Sequence, residues 1–261
     1  MSYVDAHLHL TDPGFADRIG QVIDDADKNN VAYLLSNAVD YETSAQTIAL
    51  AQRYPTKVLA AIGVHPSTAT RTADCELDKF EKLIDDNAEY VKAIGEIGLD
   101  GKYTKDEKLK KSQRDVFRFF LSLAERKRLP VVVHSRLATN DVLETLSDFH
   151  VPKVLLHWYD GPVDKLSLMR EMGYVISIGP AVYNSRTISE IARSADLRMI
   201  LTETDGPVSY RGYFEGRATQ PSFVIDVVRR LAEIKTLSPE TVRKAIWSNF
   251  QELVPMMREK Q

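Results

Sequence analysis

His7 and His9 stand two apart in Asp5-Ala6-His7-Leu8-His9, a run that reads as a strand, and residues two apart on a strand share one face. Two imidazoles on one face can reach one ion. Further histidines follow strand-like runs at His65-Pro66, His134-Ser135-Arg136 and His157-Trp158-Tyr159, so five of the six histidines occupy such positions. Glu96, in Gly95-Glu96-Ile97-Gly98, and Asp205, in Glu203-Thr204-Asp205-Gly206-Pro207, follow apolar runs in the same way. Imidazole together with carboxylate suits divalent metals that activate water. One histidine alone is more often a hydrogen-bonded core or rim residue, and a lone His-x-His is a weak signal. Five histidines at strand ends, with two acids that need a cation or strong hydrogen bonds to offset desolvation, shift the balance towards a metal site.

The elements that must position these residues are legible as two alternating patterns. Strand-like apolar runs occupy 3–7, 31–37, 57–64, 91–97, 130–134, 153–157, 174–178 and 198–202. Segments of helical period lie between them at 15–28, 42–54, 77–87, 112–128, 139–149, 162–171 and 187–194. Two more helices close the chain: one spans 220–237, and one follows Ser238-Pro239-Glu240, where Ser is the N-cap and Pro the first helical residue. Such βα alternation implies parallel strands with helical crossovers. The expected fold is α/β, a single (β/α)8 TIM-type barrel over residues 1–261, close to the roughly 250 residues typical of that fold. The strand ends of such a barrel converge on its C-terminal mouth, and the metal site is expected there. The charged run 102–118 reads as a solvated loop entering a helix.

Hydrophobic residues make up 44% and charged residues 27%, the composition of a globular chain that can bury a full core. Apolar runs are broken by charge well short of the ~20 residues of a membrane span, and the first ten residues already read as a core strand. No membrane partner and a cytoplasmic location are therefore expected. The single Cys75 has no partner for a disulfide. A net charge of −3 and a pI of about 6.1 leave no overall positive field to draw in nucleic acid. Any polyanion must be held locally, by bound cations or a few side chains.

Taken in order, Asp5-Ala6-His7-Leu8-His9-Leu10, Gly63-Val64-His65-Pro66, Gly95-Glu96-Ile97-Gly98-Leu99-Asp100, Leu129-Pro130 through His134-Ser135-Arg136, Glu203-Thr204-Asp205-Gly206-Pro207 and Ser248-Asn249-Phe250 resemble the TatD-related metal-dependent hydrolases of the amidohydrolase superfamily. The match covers nearly the whole chain. It implies a two-metal site, filled by zinc, magnesium or manganese, and DNase or related phosphodiesterase activity in at least some members. Carried over by motif, His7, His9, Glu96 and Asp205 would bind one ion, and Glu96, His134 and His157 the second, with Glu96 bridging. Asp205 would also act in catalysis, taking the proton of the attacking water.

Other positions carry two readings each. His65 either hydrogen-bonds a substrate phosphate or packs beneath a rim loop. Arg136 either forks onto a phosphate or forms a salt bridge at the mouth, and with His65 it forms the expected substrate-binding pair. Glu203 is expected to orient a metal-binding imidazole from behind, and Asp100 either does the same or caps a helix. Trp158, Tyr159, Tyr183, Tyr210 and Tyr213 could stack an unpaired base, and Lys102, Arg211 and Arg217 could hold a backbone phosphate. At strand six the family usually has His-Cys-Phe or His-Ser-Phe where this chain has His157-Trp158-Tyr159-Asp160-Gly161, which changes the pocket. The expected function is a metal-dependent deoxyribonuclease or phosphodiesterase, with DNA as substrate. The alternative is a small-molecule amidohydrolase or esterase, or an aminoacyl-ester deacylase, because an activated hydroxide attacks carbonyl carbon as well as phosphorus. A non-catalytic metal-binding scaffold is the third reading.

Overall fold

The eight apolar runs form eight strands: β1 (Tyr3–Leu8), β2 (Val31–Asn37), β3 (Val58–Ile62), β4 (Val91–Gly98), β5 (Val131–His134), β6 (Val154–Leu156), β7 (Val175–Ile178) and β8 (Ile200–Thr202). They pair in parallel in the order β1-β2-β3-β4-β5-β6-β7-β8, each strand against its sequence neighbour. A computed structural model describes residues 1–69, 71–72, 74–102 and 106–254, with the side chains of 74–76, Cys75 included, outside the description. The strands are apolar on both faces because side chains fill the barrel inside and helices cover it outside, and every residue of β3, β6 and β7 is buried.

The helices are α1 (Pro13–Ala16), α2 (Ile19–Lys28), α3 (Tyr41–Arg53), α4 (Pro66–Ala69), α5 (Asp74–Asp86), α6 (Glu107–Lys127), α7 (Thr139–Ser147), α8 (Lys165–Glu171), α9 (Arg186–Ser194), α10 (Phe223–Lys235) and α11 (Pro239–Leu253). Three short 3-10 turns add Pro180–Tyr183, Leu197–Met199 and Gly212–Phe214. Phe80 of α5 and Phe117 and Phe120 of α6 are fully buried, with the Phe80 and Phe120 rings edge to face at 4.9 Å. In α11 the Ser238 hydroxyl accepts from Thr241 N and Pro239 opens the helix, as the sequence led us to expect. The amide of Asn249, one residue of the Ser248-Asn249-Phe250 motif, donates to the carbonyls of Leu197 and Ile200, so that motif fastens α11 to the start of β8 and stays away from the mouth.

Three elements differ from the sequence reading. The helix expected over 15–28 is broken. Asp12 caps α1 through Gly14 N and Arg18 Nε donates to Gly14 O, which turns the chain before α2 begins. The tetrapeptide α4 is too short to show a helical period. Helix α6 starts at Glu107, five residues before the expected Ser112: Asp106 caps it, and its first turns are exposed Lys and Glu with pairs such as Lys110–Glu107 at 2.6 Å, so no apolar stripe marks them.

The seam between β8 and β1 is closed largely by side chains. The Thr202 hydroxyl donates to Val4 O, and the fully buried Asp5 accepts from Thr204 N at 2.9 Å and from the Thr204 hydroxyl. Backbone bonds from Asp205 N to His7 O (2.9 Å) and from His9 N to Gly206 O (2.8 Å) continue the seam to the mouth. Burial pushes the Asp5 carboxyl up to about 8 against the hydrogen bonds that lower it. Asp5→Ala would strand two buried donors of Thr204, and we expect a loss of about 2–4 kcal/mol in urea unfolding, with Asp5→Asn retaining most of the stability.

Candidate metal centre

At the C-terminal mouth, ligand-type atoms from β1, β4, β5, β6 and β8 converge on one carboxylate. Glu96 is 2% exposed and faces two ways. Its Oε2 lies 3.4 Å from His7 Nε2 and 3.4 Å from His9 Nε2. Asp205 Oδ1 lies 3.4 Å from His7 Nε2 and 3.3 Å from His9 Nε2, and the two imidazole nitrogens are 3.2 Å apart. Ligand atoms arranged tetrahedrally at about 2.0–2.1 Å from an ion stand roughly 3.3–3.4 Å from one another. His7, His9 and Glu96 have the spacing and chemistry to hold one divalent cation, and Asp205 stands against the same two imidazoles. On the other side, Glu96 Oε1 lies 2.7 Å from His157 Nε2 and 2.8 Å from His134 Nδ1, and those nitrogens are 3.2 Å apart.

Outer hydrogen bonds decide which ring nitrogen presents a lone pair. His9 Nδ1 donates to Asn37 O at 2.9 Å, leaving Nε2 bare towards Glu96 and Asp205. His134 Nε2 donates to Asp100 Oδ2 at 2.7 Å, leaving Nδ1 bare towards Glu96. His65 is wired the opposite way. Ser67 N donates to its Nδ1 at 3.0 Å, so the neutral ring carries its proton on Nε2, which points at Glu96 Oε1 from 3.3 Å. His65 therefore offers the site an N–H donor, although its distance from Glu96 and His134 alone would admit it to a ligand set.

Lone pairs packed this closely repel unless a cation sits among them, and the titration behaviour reports that field. Burial lowers the His9 pKa, but its hydrogen bond to Asp205 and the charge of Glu96 outweigh it and push it up to about 9. His157 is likewise raised, the charge of Glu96 overcoming burial. Burial raises Glu96 and Asp205, yet the imidazoles around each hold both carboxyls below the ordinary carboxylate range.

Glu203, fully buried, accepts from Trp158 N at 2.8 Å and from the Ser177 hydroxyl at 2.6 Å. Its Oε2 is 3.7 Å from His157 Nδ1, beyond a hydrogen bond, and it lies behind the stacked rings of His7 and His157, whose centroids are 3.8 Å apart. Asp100 is the orienting carboxylate that the sequence left ambiguous. It holds His134 and also pairs with Arg136 at 2.8 Å, and its carboxyl falls to about 2 as these partners outweigh burial. Gly98, at φ 137°, makes this possible: β4 and β5 approach so closely there that a Cβ would run into the His134 carbonyl.

Beside the cluster lies a cavity of about 350 Å³ lined by His134, Ser135, Arg136, His157, Trp158, Asp160, Asp205 and Val208. Trp158 stacks on Tyr210 at 5.7 Å, and Tyr159 is fully buried with its hydroxyl donating to Pro162 O, so Tyr159 is a packing residue. A profile of the TatD related DNase family matches residues 4–255.

The chain belongs to the TatD related DNase family.

Relatives at full length agree. An uncharacterized metal-dependent hydrolase of Methanocaldococcus jannaschii is 32% identical over 249 residues, 95% of each chain. Deoxyribonuclease TATDN3 of Homo sapiens is 30% identical over 263 residues, 98% of this chain and 95% of that one. Among solved structures, the TatD homolog YJJV of Escherichia coli superposes with a TM-score of 0.89 at 25% identity, covering 97% of this chain and 98% of that one. In this TatD-family chain, the six residues expected as ligands meet in one cluster, with His65 and Arg136 at its edge. Among the described residues no helix is long and apolar enough to cross a membrane.

Proposed function

We propose that this metal-dependent hydrolase cleaves phosphodiester bonds of DNA, and that His7, His9, Glu96, Asp205, His134 and His157 would hold two divalent ions for that reaction. The observation that carries the proposal is the division of Glu96, Oε2 towards His7, His9 and Asp205 and Oε1 towards His134 and His157. Two ions held there would supply Lewis acidity and a water of lowered pKa. The protein groups do the rest. His7, His9 and Asp205 hold one side of Glu96, and His134 and His157 hold the other, with His9 set by Asn37 and His134 by Asp100 behind it. Asp205, on the cavity wall, takes the proton of the attacking water. His65 donates its Nε2–H to a phosphate oxygen. Arg136, paired with Asp100, lines the same cavity and places its guanidinium charge on the wall that the anion faces. The name of the human relative, a deoxyribonuclease, supports DNA as the substrate.

Hydrolysis of bis(p-nitrophenyl) phosphate tests the phosphodiesterase reading without requiring a long substrate. Activity should appear only with divalent metal. Arg136→Ala should raise KM about 10- to 100-fold, the loss of a charged hydrogen bond, while bound metal per chain stays as in the wild type. Unchanged KM in that variant would leave Arg136 as a salt-bridge residue only. The second reading, an amidohydrolase or esterase, draws support from the cavity wall: Asp160 faces the same space as Arg136, and a carboxylate there opposes an anionic substrate and admits a neutral carbonyl.

A further inference from the structure

The loop after β8 places Tyr210, Arg211, Tyr213, Phe214 and Arg217 within eight residues. Tyr210 and Phe214 are buried, Phe214 stacking on Phe223 at 4.4 Å, and they form a small apolar cluster separate from the barrel core. Tyr213 sits above that cluster. Its ring lies nearly parallel to that of Tyr183, 4.2 Å between centroids and 11° between planes, yet Tyr213 is 51% exposed. The Arg217 guanidinium lies 4.6 Å from the Phe223 ring, 5.1 Å from that of Phe214 and 6.0 Å from that of Tyr213, with about half of its side chain in water. Arg211 is exposed and has no ion pair among the described residues. Asp226 anchors the ledge from below: it pairs with Arg229 at 3.0 Å, its Oδ2 lies 4.0 Å from Arg217 Nη2, and its Oδ1 accepts from the Tyr213 hydroxyl at 3.4 Å.

Single exposed apolar side chains need no explanation. This one is joined to the catalytic cavity: Trp158, on its wall, stacks on Tyr210, Tyr210 meets Phe214 at 6.3 Å, and Phe214 meets Tyr213 at 4.8 Å. Val208, on the same loop, is also exposed and lines the cavity. A flat, half-exposed ring with the Arg217 guanidinium 6.0 Å from it, and with Arg211 two residues earlier in the chain, suits a nucleobase attached to a phosphate, since the π-face of any base stacks and a guanidinium takes the backbone oxygen. With a net charge of −3, the protein has no general attraction for a polyanion, so such a contact must be local.

We infer that the ledge formed by Tyr213 over Tyr183, with Arg211 and Arg217 beside it, stacks unpaired bases of a single nucleic-acid strand whose scissile phosphodiester lies in the cavity. The inference rests on the phosphodiesterase reading and specifies the form of its substrate. A duplex hides its base faces and gains nothing from the ledge.

Anisotropy of a fluorescein-labelled single-stranded thymidine hexamer with phosphorothioate linkages that resist cleavage, titrated with metal-loaded protein, reads the ledge directly. Wild type should bind the single strand more tightly than the matching duplex. Tyr213→Ala should weaken hexamer binding about 5- to 100-fold, Tyr213→Phe should bind like wild type, and Arg211→Gln should weaken binding and flatten its salt dependence. Hydrolysis of bis(p-nitrophenyl) phosphate, too small to reach the ledge, should be equal in Tyr213→Ala and wild type. Hexamer binding unaffected by Tyr213→Ala, no hexamer binding by wild type, or an equal loss on the small diester would overturn the ledge. Hexamer binding sensitive to Tyr213→Ala, without diester hydrolysis by wild type, would leave the ledge standing and remove the phosphodiesterase reading.

Discussion

Asp205→Asn lowers turnover by about 10²- to 10⁴-fold while the protein still takes up metal. The amide keeps an oxygen where Asp205 Oδ1 stands, 3.3–3.4 Å from the two first-strand imidazoles, so a ligand atom survives. What it loses is the ability to accept a proton, and removal of a positioned general base costs turnover in that range. The check is kcat measured beside metal content in one preparation. Near wild-type kcat at full metal content would assign the proton to another group.

Glu96→Ala removes the carboxylate whose two oxygens face the two halves of the cluster. We expect affinity for at least one ion to fall more than about 100-fold, since even outer partners of metal ligands are worth 10- to 100-fold, and activity to fall to background. Elemental analysis after reconstitution should find up to two ions per wild-type chain and fewer in the variant. Two ions bound with unchanged affinity in Glu96→Ala would show that each half of the cluster holds its ion without the bridge. The variant removes a buried charge that five imidazoles surround, so its folded state should be verified by circular dichroism before the metal count is read.

The sequence showed the barrel and the converging residues because both depend on short-range patterns. Eight apolar runs with helical segments between them fix parallel pairing, and residues at the ends of such strands have only one place to meet. Nothing in the sequence could show how the rings are turned. His134 presents Nδ1 and His9 presents Nε2 because of Asp100 and Asn37, partners that become neighbours only when the sheet curves. Asp100 lies two residues past β4 in a position equally suited to capping, and only the close approach of Gly98 to His134 decides its role. The two readings of Arg136 are also not exclusive, since its pair with Asp100 is present and it still lines the cavity. Asp5 was read only as part of a motif. Its role in the β8–β1 seam depends on Thr204, 199 residues away, a contact that exists only once the barrel closes.

Incubation of metal-reconstituted protein with single-stranded DNA, alongside Asp205→Asn and a panel of small esters and amides, tests phosphodiester cleavage most directly. The expected result is cleavage of the DNA that requires divalent metal, is lost in EDTA and in Asp205→Asn, and exceeds any turnover of the esters and amides. The contradicting result is intact DNA under every metal, with an ester or amide hydrolysed by the wild type and spared by Asp205→Asn.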